Sequence, residues 1–129
     1  MSAALLAIPG ASAYFVGGSV VYTLKSREHI LGITRDDVTG LDPLTEKMVA
    51  AFAAKARGQL ETTWGLAELG VAGPSGAPYG HPPGVSVLAV DGPHPLTCEV
   101  RTGSDDREAN MWAFAEAGLN LLSEALDHS

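Results

Sequence analysis

Apolar residues recur every fourth position at Leu44, Met48, Phe52 and Ala56, which is the period of one helix face. Asp42-Pro43 just before them reads as an N-cap followed by proline at the first helical position. The pattern predicts an amphipathic helix from there to about Leu60. A second long helix is predicted at the C-terminal end. Ser104 to Asp106 supply caps and N-terminal acids for it, and it runs to about Leu126. Its apolar residues Met111, Trp112, Phe114, Ala115, Leu119, Leu122 and Leu126 cover a broad face. Between the helices lie runs with strand character. Val85–Val90 is a nearly continuous apolar run of strand length, the pattern of a strand buried on both faces. Leu96–Thr102 alternates in part and reads as its neighbour across the turn at Asp91–Pro95. Thr62–Leu69 reads as a strand, and so does Gly18–Leu24, which is rich in β-branched and aromatic residues. Ser2–Ile8 reads as the end of a helix stopped by Pro9-Gly10, and Lys25–Leu31 as two helical turns closed by Gly32.

Helices placed between strands give the α/β class, a sheet with helices on its faces. The hairpin-length turn at Asp91–Pro95 requires antiparallel neighbours, so the sheet is expected to be mixed. With 129 residues, no repeat and no dividing linker, residues 1–129 are expected to form one domain. A globule of this size buries roughly two-thirds of its unfolded surface and needs no covalent staple. Cys98 is the only cysteine, so an intrachain disulfide is excluded, and a reducing, cytoplasmic setting is expected. The net charge of −7, with eight Lys and Arg, disfavours nucleic-acid or anionic-membrane partners. One local basic pocket for a small anion is still allowed. No apolar run is long enough to span a bilayer. Ala11-Ser12-Ala13 has the look of a cleavage site, but no Lys or Arg precedes the short apolar run Leu5–Ile8, so a secretion signal is not expected.

Candidate chemistry lies in two places. Gly70–Gly84 holds five glycines and four prolines in fifteen residues. It is either a surface connector or a loop that turns backbone N–H groups toward an anion. No Walker or G-x-G-x-x-G spacing is present, and Ser75 lacks the glycine two residues on that a nucleophile elbow needs, since Ala77 stands there. The second place is Gly10–Glu28, where Ser12, Tyr22 and Lys25 hold the atoms of an activated serine. Arg27 is a poor base because arginine stays protonated. Taken by itself, this stretch fits a core hairpin with amphipathic tyrosines better than a reaction centre. The four histidines, His29, His81, His94 and His128, have no ligand spacing, so no metal site is expected. Cys98 is expected to pack as a small apolar side chain.

"PGASAYFVGGSVVY" followed by "ILGI", then "LTEKMVAAFAAKAR", "GVAGPSG" and "GSDDRE", closely resembles the CinA C-terminal domain family of nicotinamide-nucleotide amidases in order and spacing. The resemblance covers nearly the whole chain. It implies an oligomeric three-layer α/β/α domain that hydrolyses the carboxamide of nicotinamide mononucleotide with a serine–lysine pair, without metal or cofactor. Residue by residue, Ser12 and Tyr22 match the family's catalytic region. Gly70, Ala72, Gly73 and Pro74 match its glycine-proline loop, which continues through Ser75 and Gly76. Arg107 matches the arginine of the last helix. Three departures accompany these matches. The chain begins after the family's Glu-Ser-x-Thr-Gly-Gly motif, Arg27 stands in the place of the family lysine, and Leu69 replaces a threonine. The expectation is a divergent domain, lacking the family's N-terminal segment, with lost or altered amidase activity and retained binding of a phosphate-bearing, nucleotide-like ligand. The alternatives are an active amidohydrolase and a structural or assembly subunit.

Overall fold

Strand β2, Val85–Asp91, lies at the centre of the molecule. In the computed structural model, which describes residues 1–129, β2 pairs with β1 (Gly65–Val71) on one side and β3 (Leu96–Arg101) on the other. Its side chains alternate between two faces, as a pleated strand requires. Val85, Val87 and Ala89 pack with Leu44, Val49 and Ala53. Leu88 and Val90 pack with Leu121 and Ala125. Helix α3 (Glu46–Leu60) therefore covers one face, and the C-terminal helix, Arg107–Asp127, covers the other. The result is the expected three-layer α/β/α arrangement. Every residue from Val85 to Val90 is buried, in agreement with the apolar run. Each such Val or Leu contributes about 1.5–3 kcal/mol by leaving water.

The Asp91–Pro95 turn joins antiparallel neighbours, as its length dictates. The β1–β2 pairing is antiparallel as well, so both pairings of the three-stranded sheet are antiparallel. The largest departure from the sequence reading is Gly18–Leu24, which forms no strand. Val16–Tyr22 makes no backbone–backbone hydrogen bond, and Val20 is 83% exposed. Strand propensity describes how well side chains fit a half-buried pleated surface. Here Val21 alone of the segment packs against the Leu31–Ile33–Phe52 cluster, and no neighbouring strand pairs with its backbone.

Smaller differences follow from local hydrogen bonding. The N-cap of α3 is Thr45, not Asp42: its hydroxyl accepts from Met48 N at 3.2 Å and donates to Asp42 O at 2.9 Å. Pro43 falls in the preceding turn. Leu44 sits outside the helix yet is buried against Val85 and Val87, which is why it continues the apolar period. β1 begins and ends later than Thr62–Leu69 and takes in Gly70 and Val71, so the irregular loop starts at Ala72. The N-terminal helices are short, as expected: α1 spans Ser2–Leu6 and α2 spans Leu24–His29. Thr23 and Ser26 form a reciprocal capping box at the start of α2. With those two placed, the C-terminal helix is α4. Asp106 caps it, accepting from Ala109 N at 3.1 Å. No helix is long and apolar enough to cross a membrane.

Candidate functional site

Asp106 fixes where α4 begins, and so places Arg107 in its first turn. From there the Arg107 guanidinium reaches two distant segments. It donates to Gly73 O at 2.6 Å and to the Tyr22 hydroxyl at 3.2 Å. Three residues singled out by sequence are thus brought together from the N-terminal segment, the glycine-rich loop and the last helix. A guanidinium carries five N–H donors, so three remain free for an anion.

One turn along α4, on the same side of the helix, lies Asn110. It is 1% exposed. Its amide donates to Ala72 O and Ser104 O, both at 2.9 Å, and its carbonyl oxygen accepts from the Thr102 hydroxyl at 2.6 Å. Arg107 and Asn110 together hold the loop at two consecutive carbonyls. Sequence reasoning passed over Asn110. The available signal was a weak helix former one turn before Phe114, at the head of the apolar stripe of a helix, where only a satisfied polar network justifies it.

Gly73 adopts φ +98°, and a Cβ there would lie 2.9 Å from Asp105 O and 3.0 Å from Pro83 Cβ. The position therefore requires glycine. A Cβ on Gly70 would lie 2.8 Å from the Phe114 ring, so this glycine lets α4 approach β1. Gly73 is buried, whereas Pro74, Ser75 and Gly76 are exposed beyond it. The loop then folds on itself through Ala77 N to His81 O at 2.8 Å. Beneath α4 the largely buried Glu68 accepts from the Ser86 hydroxyl at 2.8 Å. Burial pushes the Glu68 carboxyl above the usual carboxylate range, and the bond from Ser86 opposes that rise.

The other two candidates stand apart from these bonds. Ser12 is exposed in a 3-10 turn, Ala11–Ala13. Arg27 turns its guanidinium onto the Phe52 ring of α3, 5.3 Å from the centroid, and its buried Nε has no hydrogen-bond partner. Arg27 is thus a cation stacked on the core, not a base beside a serine.

An open groove of about 710 Å³ adjoins the loop, lined by Pro82, Pro83, Val85, Arg101, Gly103, Ser104 and Asp105. A smaller pocket of about 150 Å³ lies at the other end of β2, against Val90 and Asp91. No group of three or more His, Cys, Asp or Glu side chains is arranged so that it could hold a metal ion.

The layers and the clamped loop define an α/β/α domain of the competence-damage-inducible class. The chain belongs to the CinA C-terminal domain family, whose profile matches residues 1–126. It is 37% identical over 108 residues to a CinA-like protein of Prochlorococcus marinus, covering 80% of this chain and 25% of that protein. It is 35% identical over 122 residues to a CinA-like protein of Anaeromyxobacter sp. strain K, covering 95% of this chain and 30% of that one. The chain thus spans less than a third of the length of these relatives. Among solved structures, the CinA superfamily protein of Klebsiella pneumoniae 700603 superposes with a TM-score of 0.88 at 22% identity, over 99% of this chain and 80% of that one. The competence/damage inducible protein CihA of Agrobacterium tumefaciens superposes at 0.84 with 26% identity, over 96% and 76% of the two chains.

Proposed function

We propose that residues 1–129 act as one CinA-type domain that binds a phosphate-bearing, nucleotide-like ligand at the Arg107 node without hydrolysing it. The observation that carries this reading is the Arg107 guanidinium, held by Gly73 and Tyr22 with donors to spare, at the mouth of a glycine-rich loop. Arg27, tied to Phe52 and permanently protonated, offers Ser12 no base. Nicotinamide mononucleotide is the first ligand to try, by analogy with the family's amidases. It is expected to raise the melting temperature and to release no ammonia. Ammonia release that disappears in Ser12→Ala would replace this reading with an active amidase. The absence of both a shift and turnover at millimolar nucleotide would leave only a structural or assembly role.

A homo-oligomeric state is favoured by a separate observation. No Asp, Glu, Lys or Arg occurs before Lys25, and Val16, Val20 and Tyr22 are exposed along a backbone with free hydrogen-bonding groups. Such a segment invites strand pairing with another copy. Sedimentation should show an oligomer that Val20→Lys dissociates; a monomer at all concentrations contradicts it.

A further inference from the structure

Strand β3 is the last strand on its side of the sheet. The N–H of Thr102, one residue past its end, donates to Gly84 O at 2.9 Å, toward β2. Backbone groups of successive strand residues point alternately to opposite sides. Those of Cys98 and Val100 therefore serve the pairing with β2, where Cys98 faces Leu88 and Val100 faces Ser86. Those of Thr97, Glu99 and Arg101 point outward, and no element of this chain pairs with them. Side chains alternate as well. Cys98 and Val100 pack in the layer under α4. On the other face, the Thr97 hydroxyl donates to Glu46 Oε1 of α3 at 2.8 Å. Glu99 and Arg101 are exposed on that same face, with their charged groups 3.3 Å apart.

An open strand edge can take another strand, and the charges on this one select which. A single charge guards an edge, because an incoming copy meets it with the same sign. On β3 an acid and a base stand two residues apart on one face, so the strand complements itself about Val100. Antiparallel pairing centred there sets Glu99 of each copy opposite Arg101 of the other, where the outward backbone groups of both residues also meet. A register centred on Glu99 would set acid against acid. One centred on Cys98 would set Arg101 opposite Pro95, which has no N–H to give. A two-fold axis placed between two residues would set outward backbone groups against inward ones. We infer that β3 pairs with β3 of a second copy about a two-fold axis at Val100, joining their sheets into one. This surface is separate from the N-terminal segment, whose Val21 packs on the same cluster as Ala67 and Leu69 of β1, the strand at the opposite edge.

The test uses the full chain carrying Val20→Lys, a change at an exposed position that silences association through the N-terminal segment. Sedimentation equilibrium should show a dimer. Arg101→Glu and Glu99→Arg should each raise the dimer dissociation constant about tenfold or more, because like charges then face each other at both ends of the pairing. An equimolar mixture of these two variants should dimerise with the parent's affinity, since each supplies the charge the other lacks. The double variant, Glu99→Arg with Arg101→Glu, should dimerise as the parent does, with the signs of each pair exchanged. A parent that stays monomeric, single variants that dimerise as tightly as the parent, or a mixture and a double variant that both stay monomeric would overturn the proposal.

Discussion

The Tyr22 hydroxyl and the Arg107 guanidinium meet at 3.2 Å although 85 positions of sequence separate them. That bond ties the otherwise unpaired N-terminal segment to the first turn of α4. The same guanidinium holds Gly73 O, so one side chain links the segment to the loop.

Arg107→Lys is expected to weaken both. An ammonium is a point charge and cannot span two acceptors with a rigid fork. The loss of about one hydrogen bond lowers stability by roughly 1 kcal/mol. The proposed melting shift with nicotinamide mononucleotide should vanish. A full shift retained in Arg107→Lys would separate ligand binding from this node.

Asn110→Ala should cost more, about 2–4 kcal/mol, because Ala72 O and Ser104 O both lose the buried amide that donates to them, and the Thr102 hydroxyl loses its acceptor. Asn110→Asp should not rescue it, since an oxygen would then face two carbonyls. Denaturant unfolding measures both. A cost below that of Arg107→Lys would show that the loop is held by Arg107 alone.

These two residues also mark how far the sequence could be read. β2 was legible because a strand covered on both faces must be apolar at nearly every position. α3 and α4 were legible through their period, and Asp106 through its capping chemistry. The cap of α3 was placed at Asp42, not Thr45, because Asp42-Pro43 carries the same local signals three residues earlier. Gly18–Leu24 has the composition of a strand, but composition cannot supply a neighbour to pair with. Tyr22 was named from its own chemistry, Gly73 within the glycine-rich loop and Arg107 from the family resemblance, yet their meeting depends on tertiary placement. Asn110 left only the faint trace of a polar residue in a buried stripe.

Glu68→Gln is expected to stabilise the protein increasingly as pH rises. The folded-state pKa of Glu68 lies above its unfolded value, chiefly through burial. The folded state therefore holds the proton more tightly. Its advantage is complete below the ordinary glutamate pKa and is lost as pH climbs through the raised folded value. Glutamine keeps an acceptor for Ser86 and has no charge to bury. Melting temperatures of both proteins from acid to neutral pH should diverge; a constant gap contradicts the buried ionisation.

Arg27→Met should change stability by about 1 kcal/mol or less. The cation over Phe52 is lost, but so is the buried Nε that lacks a partner. A loss above about 3 kcal/mol would mean that Arg27 is paired in a way this geometry lacks. Arg27→Lys should not by itself produce ammonia from the nucleotide, because Ser12 remains exposed outside the Arg107 node.

The alternation along β2 gives the fold a built-in check on register. A slip of one residue would hand Leu88 and Val90 to α3 and deliver Val87 and Ala89 to α4. The error would be felt in both outer layers at once. It would also draw Ser86 away from Glu68 and leave a carboxyl stranded under the last helix. Two helices that never touch in this fold thus audit the same strand from opposite sides, and a misaligned sheet finds no partial reward.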